Sequence, residues 1–396
     1  MEAVEQDKDW NLYWRIEKVK AKKDGRKPVP CKTLKATELW EEIAYAAWAS
    51  ADPGIQFDTT INEWHTCPAD GPIRASNPCS EYLHLDNSAC NLASLNLLAF
   101  LNGDKDDQFD LEGFRQAVRI VFTAQDILVG NADYPTESIA QTSRDFRQLG
   151  LGYTNLGAML MALGMPYNFE KARAWTGAVT ALMTGEAYST STDLAQRVGA
   201  FSGYTHNRDP MRQVLQLHRE ALDSIPDSAP QDLMTAARAS WDHVLAGCEK
   251  HGVRNSQATV IAPTGTISFM MDCDTTGIEP DLGLIKFKKL VGGGDLTIVN
   301  QTVGRALRRL GYDDLQVTEI EAHLLEGGSI VGAPHLLEHH LPVFECSMGD
   351  NVILHEGLLR MMAAAQPFVS VEISKTVNLP ETATIEDVED LHLLSW

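Results

Sequence analysis

The chain has 396 residues, a formal net charge of −21 and a hydrophobic content of 44%. This length and composition predict one large folded domain or two ordinary ones, and they exclude disorder as the default state. The acidic surface disfavours nucleic-acid binding, and no apolar run reaches the roughly 18 residues of a membrane-spanning helix. Because the charged start, Met1 to Gln6, lacks an apolar signal segment, we predict a cytoplasmic protein.

Hydrophobic periodicity predicts helices that alternate with short strands. The helices are predicted over 36–50 with Thr37 as N-cap, 110–131 from Asp110, 147–161, 169–198, 227–251, 301–310, 316–325, 355–365 and 385–394. The strands are predicted over 258–262, 296–299 and 369–373, and the turn-rich residues 52–76 are expected to be mostly irregular. This alternation favours an α/β fold with a mostly parallel sheet.

Cysteine usage argues for a reducing compartment. The chain has seven cysteines and no C-x-x-C pair, so neither a disulfide scaffold nor a paired-cysteine metal site is predicted. Most of these cysteines are expected to be ordinary core or surface residues. Cys79 and Cys90 differ because of their neighbours.

The segment Asn77-Pro78-Cys79-Ser80-Glu81-Tyr82 is the most informative in the chain. In an extended backbone, alternate side chains share one face, so Asn77, Cys79 and Glu81 could converge on one small target. A carboxylate beside a thiol opposes thiolate formation by charge repulsion. The pattern therefore favours a thiol that gives and takes a hydrogen atom, with the carboxylate accepting a proton from the same substrate.

A second constellation follows the predicted strand 258–262. Residues 262–268 read Ala-Pro-Thr-Gly-Thr-Ile-Ser and would present free backbone N–H groups and hydroxyls, which suit a phosphate if a helix begins there. The turn lacks the Gly-Lys-Ser/Thr ending of a Walker loop, so NTP hydrolysis is disfavoured. A structural turn without a ligand is the alternative. Gly150 and Gly152 lack the third glycine of a dinucleotide-binding motif, and we expect them to serve close helix packing.

Together these motifs resemble the catalytic subunit of ribonucleotide reductase, in its adenosylcobalamin-dependent (class II) branch. The resemblance runs through most of the chain in a fixed order. Its motifs are Asn77 to Tyr82, Ala89 to Leu97, Arg254 to Gln257 leading into Ala262 to Ser268, Thr276 to Pro280, Arg360 to Ala364, and Ile373 to Asn378.

The resemblance implies a fold and a set of roles. The fold is part of a ten-stranded α/β barrel, here one catalytic domain over 1–396, with a finger loop at about 74–90 and the phosphate-binding turn at 262–268. By resemblance, Cys79 forms a thiyl radical that removes the ribose 3′-hydrogen, Glu81 is the general base for the 3′-hydroxyl, and Asn77 holds the hydroxyls. The site residues are Asn77, Pro78, Cys79, Ser80, Glu81, Cys90, Pro263, Thr264, Gly265, Thr266 and Ile267.

Cys90 follows Cys79 by eleven residues. Alone it would read as a core cysteine, but the resemblance makes it one of two thiols that reduce the 2′-position and end as a disulfide. A thioredoxin-like dithiol would then restore it. By resemblance to the cobalamin branch, the cofactor is adenosylcobalamin. The oxygen-dependent relatives carry an adjacent tyrosine pair that relays a radical from a second subunit, and no two of the nine tyrosines here are adjacent. The substrate is a ribonucleoside di- or triphosphate.

The chain also departs from the family pattern. The segment expected before the finger loop, with the partner of Cys90, and the C-terminal cysteine pair are not evident, so we expect a fragment that needs a missing segment, a partner chain or a homo-oligomer. Val371-Glu372 also replaces the small residues expected before Ile373. Two alternatives remain open: a catalytically incomplete nucleotide-binding fragment, and a thiol hydrolase that pairs Cys79 with His84.

Overall fold

A computed structural model describes residues 1–103, 108–289 and 295–396 of the chain. In chain order its helices are α1 (Glu2–Glu5), α2 (Arg15–Lys23), α3 (Ala36–Ser50), α4 (Asp58–Glu63), α5 (Leu111–Asn131), α6 (Glu137–Phe146), α7 (Leu156–Ala162), α8 (Glu170–Val198), α9 (Tyr204–Ala221), α10 (Gln231–His251), α11 (Gly265–Met270), α12 (Thr302–Arg309), α13 (Asp314–Leu325), α14 (His355–Ala365) and α15 (Ile385–Ser395). Its strands are β1 (Asp9–Leu12), β2 (Lys32–Lys35), β3 (Leu92–Asn96), β4 (Leu101–Asn102), β5 (Gln108–Phe109), β6 (Gly150–Thr154), β7 (Ile285–Lys289) and β8 (Asp295–Val299). The predicted mixture of helices and strands is confirmed.

The contacts of the described residues fall into two compact units. The first contains Met1–Phe57 and Leu379–Trp396, and the second contains Asp58–Asn378. In the first unit β1 and β2 form an antiparallel ladder, and α3 packs against α15. The indole N–H of Trp48 donates to the carbonyl of Ala383 at 2.8 Å, which fixes the loop that leads into α15.

The start of α3 differs from the prediction. The helix begins at Ala36, so Lys35 is at the N-cap, and its backbone N–H donates to the Glu38 carboxylate at 3.3 Å. The hydroxyl of Thr37, the predicted cap, instead donates to Asp7 at 2.7 Å. The cap prediction was therefore wrong because a tertiary acceptor competes for this hydroxyl.

A central buried helix, α8, organises the second unit. It packs against α5, α10 and α14 and is buried over most of its length. Small residues allow this: a Cβ on Gly185 would lie 3.1 Å from Trp241, whose indole N–H donates to the carbonyl of Ala181 at 2.9 Å. The helix is therefore enclosed by neighbours rather than amphipathic.

Four extended segments lie side by side next to this helical layer. β3 pairs in parallel with β6, which is bridged in parallel to the segment 258–262. That segment is bridged in parallel to residues 371–374, through the pair Ile261 and Ile373. The central pairing is thus parallel, as predicted, whereas the β1–β2, β4–β5 and β7–β8 ladders are antiparallel. The prediction of a mostly parallel sheet holds only at the centre.

The glycines at 150 and 152 belong to a strand, not to a helix. β6 is buried at every residue, and a Cβ on Gly152 would lie 2.4 Å from the carbonyl oxygen of Val260. The predicted helix over 147–161 was therefore wrong in its first half, because these glycines allow the backbones of two neighbouring strands to approach closely. The helix itself, α7, begins at Leu156.

Most other predicted helices are confirmed within a few residues, including α5 with Asp110 as its cap. The helices α1, α2, α4, α6 and α9 were not predicted, and α4 lies in the stretch predicted to be irregular. Among the helices of the described ranges, none has the length and apolar character that crossing a bilayer requires.

Candidate active site

The first part of the predicted finger loop, residues 76–83, is a tight hairpin and not an extended strand. Ser76 and Leu83 form an antiparallel bridge, and the backbone N–H of Asn77 donates to the carbonyl of Tyr82 at 3.1 Å. The side-chain oxygen of Asn77 accepts the N–H of Tyr82 at 3.0 Å, and Ser80 adopts a left-handed φ of 66°. The predicted alternation of three side chains on one extended face was therefore wrong, since Asn77 uses its amide oxygen to close the turn.

The two candidate catalytic residues of the hairpin differ in solvent exposure: Cys79 is exposed and Glu81 is buried. Cys79 is exposed on the turn, beside exposed Pro78 and half-buried Ser80. Glu81 is only 3% exposed, and within the described part of the chain its Oε2 atom has no hydrogen-bond partner. A buried carboxylate oxygen without a donor is costly and marks a candidate functional position.

The negative charge of Glu81 affects the pKa of the Cys90 thiol. The residue is exposed, but the surrounding protein partly desolvates its sulfur, which with the negative charge of Glu81 raises the pKa of the Cys90 thiol to about 12. The thiol is therefore protonated at neutral pH. The repulsion that the sequence suggested for the Cys79–Glu81 neighbourhood acts on Cys90, so the structure brings Glu81 and Cys90 into one electrostatic environment.

His84 is not placed to activate a thiol. Its ring is buried against Phe146 and His65, and its Nε2 atom lies 3.2 Å from the hydroxyl of Ser256. Burial and the neighbouring His65 lower the pKa of His84 to about 3, so the ring is neutral at physiological pH. Its hydrogen-bond partner is a serine of the 254–257 motif, which does not favour the hydrolase alternative.

The predicted phosphate turn leads directly into a helix. Thr264 has a left-handed φ of 55°, and α11 begins at the next residue. Ala262, Thr264 and Ser268 are buried and Pro263 is half-buried, whereas Gly265, Thr266 and Ile267 are exposed. The first N–H groups of any helix lack intrahelical acceptors, so the exposed face of the turn presents donors.

A buried hydroxyl cluster supports the turn from below. The hydroxyls of Thr154, Thr264 and Ser268 lie 2.9–3.0 Å from one another. The N–H of Gly277 donates to the Thr264 hydroxyl at 2.7 Å. A Cβ on Gly277 would lie 2.6 Å from the carbonyl oxygen of Ala262, so this backbone contact requires glycine. Sequence reasoning missed Thr154 and gave no role to Gly277.

An ion pair ties the 276–280 motif to the 373–378 motif. Glu279 is paired with Lys375, and its second oxygen accepts the N–H of Thr376 at 2.8 Å. The Lys375 side chain is 2% exposed. Burial lowers the pKa of Lys375, and the charge of Glu279 opposes this shift. Both residues occur in motifs quoted from the sequence, but only the structure shows that they meet.

The hairpin and the turn meet through their apolar bases. Ile73 and Leu83, which flank the hairpin, belong to one buried cluster with Val260, Ala262 and Val371. In addition, the side-chain amide of Gln257 donates to the carbonyl of Leu83 at 3.0 Å. The segment that leads into the predicted phosphate turn is thus packed in the same cluster as the base of the hairpin.

Comparison with known proteins gives the class. A family model described as "Ribonucleotide reductase, barrel domain" matches residues 1–396, so the chain belongs to the ribonucleotide reductase family. It is 53% identical over 365 residues to a vitamin B12-dependent ribonucleotide reductase of Streptomyces avermitilis, covering 91% of this chain and 38% of the relative. It is 51% identical over 400 residues to a protein of the same name from Rhodopirellula baltica, covering 100% of this chain and 38% of that relative.

A third relative is more distant in sequence. A vitamin B12-dependent ribonucleoside-diphosphate reductase of Mycobacterium tuberculosis is 32% identical over 364 residues, covering 92% of this chain and 45% of the relative. The predicted family is confirmed. The chain spans 38% of the length of the Streptomyces and Rhodopirellula relatives.

Proposed function

We propose that this chain carries the substrate-binding thiol hairpin and phosphate turn of a cobalamin-dependent ribonucleotide reductase, which converts ribonucleotides to 2′-deoxyribonucleotides for DNA synthesis. The observation that carries the proposal is the pairing of exposed Cys79 with buried Glu81, whose free carboxylate oxygen lies two residues away along a closed hairpin. The names of the vitamin B12-dependent relatives support the branch. The chain would form part of the ten-stranded barrel of that family.

Cys79, Glu81 and Asn77 would act on the ribose. As a thiyl radical, Cys79 takes the 3′-hydrogen atom, and Glu81 accepts the proton of the 3′-hydroxyl. Asn77 keeps its amide N–H groups for the ribose hydroxyls, since its oxygen already accepts the N–H of Tyr82. An unpartnered Glu81 oxygen supports this role because it needs a donor, and a ribose hydroxyl is one.

Cys90 would supply reducing equivalents. Two thiols, of which Cys90 is one, lose two electrons and two protons and become a disulfide, while the 2′-hydroxyl leaves as water and hydrogen takes its place. A thiol of raised pKa suits this role, since it keeps its proton until the reaction uses it. A thioredoxin-like dithiol would then reduce the disulfide by exchange.

The exposure of Cys79 is compatible with a large bound cofactor. Its thiol is on the outside of the hairpin, where a large bound group could reach the sulfur. When bound, adenosylcobalamin supplies an organic radical by homolysis of its cobalt–carbon bond. What the chain contributes is a thiol held on a closed turn and a buried base next to it. The residues from Pro263 to Ile267 would hold the substrate phosphates with neutral N–H donors, which suits an acidic protein.

A substitution in the turn separates binding from turnover. A Cβ on Gly265 would have no atom within 4 Å, so Gly265→Leu should fold normally but obstruct a phosphate. We expect at least tenfold weaker binding of a ribonucleoside diphosphate by calorimetry, or about 1.4 kcal/mol. Phe269→Leu, at an exposed position of the same helix, is the control. Equal affinity of native protein and Gly265→Leu for the ribonucleoside diphosphate would show that the turn does not bind the phosphates. If native protein binds the nucleotide tightly but forms no product, the alternative of a nucleotide-binding fragment is favoured.

A further inference from the structure

The backbone on both sides of Cys90 is held by buried side chains. The N–H of Ala89 donates to the hydroxyl of Ser143 at 3.1 Å, and its carbonyl accepts the side-chain amide of Gln148 at 3.0 Å. Ser143 and Gln148 are each 1% exposed. An exposed thiol is thus carried on a peptide whose preceding residue is bound to the interior.

The residue after Cys90 is held in the same way from another helix. The carbonyl of Asn91 accepts the side-chain amide of Gln125 at 2.9 Å, and the Asn91 side-chain amide donates back to the carbonyl of Gln125 at 3.1 Å. Gln125 is 3% exposed and lies on α5. The N–H of Gly150 also donates to the Asn91 carbonyl at 2.9 Å, which joins this residue to the start of β6.

A third set of bonds connects this segment to the hairpin. The phenol of Tyr82, next to Glu81, donates to the hydroxyl of Ser88 at 3.0 Å, and Ser88 donates to the carbonyl of Leu85 at 2.7 Å. Glu81 and Tyr82 both interact electrostatically with the Cys90 thiol. Hydrogen bonds therefore hold the residue after Glu81 and the residues on both sides of Cys90.

Gln125 and Gln148 each leave one side-chain atom without a hydrogen bond among the described residues. Within the described residues, the buried Oε1 atoms of Gln125 and Gln148 have no partner, although their Nε2 atoms are used on the carbonyls beside Cys90. A buried amide that served only packing would be replaced by an apolar side chain at little cost. Both side chains donate to a backbone carbonyl, which an apolar residue of the same size cannot do.

We propose that Gln148 and Gln125 are positioning residues that hold the Cys90 thiol at a fixed place beside Glu81. The inference rests on the proposed reductive role of Cys90 for its biological meaning. The placement itself is measurable in the isolated chain, without cofactor or nucleotide, so its failure and the failure of the proposed function can be told apart. Positioning matters because a reductive thiol has to return to the same place after each cycle of oxidation.

The test uses the charge of Glu81 as a local probe. Iodoacetamide alkylation of Cys90 is followed by peptide mass spectrometry at pH 8.5. In native protein, Glu81→Gln should accelerate alkylation at least tenfold, since it removes the negative charge that, after burial, suppresses the thiolate. In a Gln148→Met background the thiol is already displaced, so the same Glu81→Gln change should accelerate alkylation less than threefold. Gln125→Met provides the same comparison from the other flank, on α5, whereas Gln148 lies between α6 and β6.

Two controls separate positioning from loss of stability. Gln366 donates to the carbonyl of Val371 at 3.1 Å, so Gln366→Met removes the same type of bond on another element and should leave the full Glu81→Gln effect. Val244→Ala, in the core, lowers stability and should also leave it. An equal Glu81→Gln effect in the native, Gln148→Met and Gln125→Met backgrounds, or no effect in native protein, would overturn the inference.

Discussion

Glu279 and Lys375 form an ion pair that joins two segments flanking the turn at 262–268. Glu279 follows Gly277, which donates to the Thr264 hydroxyl beneath the turn, and Lys375 follows the strand that pairs with Ile261. The pair is almost enclosed on the lysine side. Its stabilising effect should therefore differ from that of a surface pair.

Removing the acidic partner should be strongly destabilising. Glu279→Gln leaves the Lys375 ammonium buried without its counter-charge, and we expect a loss of about 3 kcal/mol in the free energy of unfolding. Adding Lys375→Met should restore much of it, because the isolated charge is then gone. Urea unfolding of the two single variants and the double variant measures this coupling. Glu356→Gln breaks the exposed pair with Arg360 and should cost under about 1 kcal/mol. Equal losses for the two glutamate variants would show that burial does not matter.

Two glycines of the turn region should respond in opposite directions. Gly277 has a φ of 48° and its Cβ would meet a backbone carbonyl oxygen at 2.6 Å, so Gly277→Ala should cost about 3 kcal/mol. Gly265 lies in open space at the start of α11, so Gly265→Ala should be neutral or stabilising by up to about 1 kcal/mol. Thermal unfolding of both variants tests this contrast. A stable Gly277→Ala variant would mean that the Ala262 carbonyl can move away.

Because Glu372 is largely buried, we expect the protein to lose stability as pH rises. Burial raises the pKa of its carboxyl to about 7, above the ordinary value of 4.5 that applies in the unfolded chain. The unfolded state therefore releases this proton first. The stabilising contribution of the protonated Glu372 carboxyl to the free energy of unfolding is complete below about pH 4.5, and it is lost as pH rises through about 7.

The matching variant is Glu372→Gln. It should be more stable than native protein at pH 8, by about 2 kcal/mol because partial exposure of Glu372 reduces the full effect, and the difference should vanish near pH 4.5. Urea titrations at pH 4.5, 6, 7 and 8 give this difference. A pH-independent difference would assign the effect to packing and not to titration.

The sequence predicted the local elements better than their contacts. The helices α5 and α14 have an amphipathic pattern, and Asp110 caps α5, so both were placed within a few residues. The helix α8 was placed equally well although it is buried on all sides and has no side-chain cap. The helix α9 was missed because Pro210 and buried Asn207 interrupt its apolar pattern near the start. β6 was mistaken for a helix start because a strand buried on both faces shows no alternation.

The site was predicted by motif and corrected by geometry. The chemistry indicated by the residue types at 77, 79 and 81 stays a prediction, but their extended arrangement was wrong, since a side-chain amide that closes its own turn cannot be seen in a residue pattern. The contacts of Glu279, Gln148 and Gln125 join positions that are far apart in sequence. Such pairs carry no local signal, so only the folded chain could reveal them.

The central claim is that Cys79 carries the radical chemistry of nucleotide reduction. The direct test places this chain in the corresponding segment of the Streptomyces avermitilis relative, which supplies the remaining length, and measures 2′-deoxyribonucleotide formed with adenosylcobalamin, a dithiol and a ribonucleotide. We expect turnover with native sequence, at least a thousandfold loss in Cys79→Ala, and full turnover in Cys31→Ala, an exposed cysteine of the other unit. Undiminished turnover in Cys79→Ala, or a folded, nucleotide-binding chimaera that forms no product, would contradict the account.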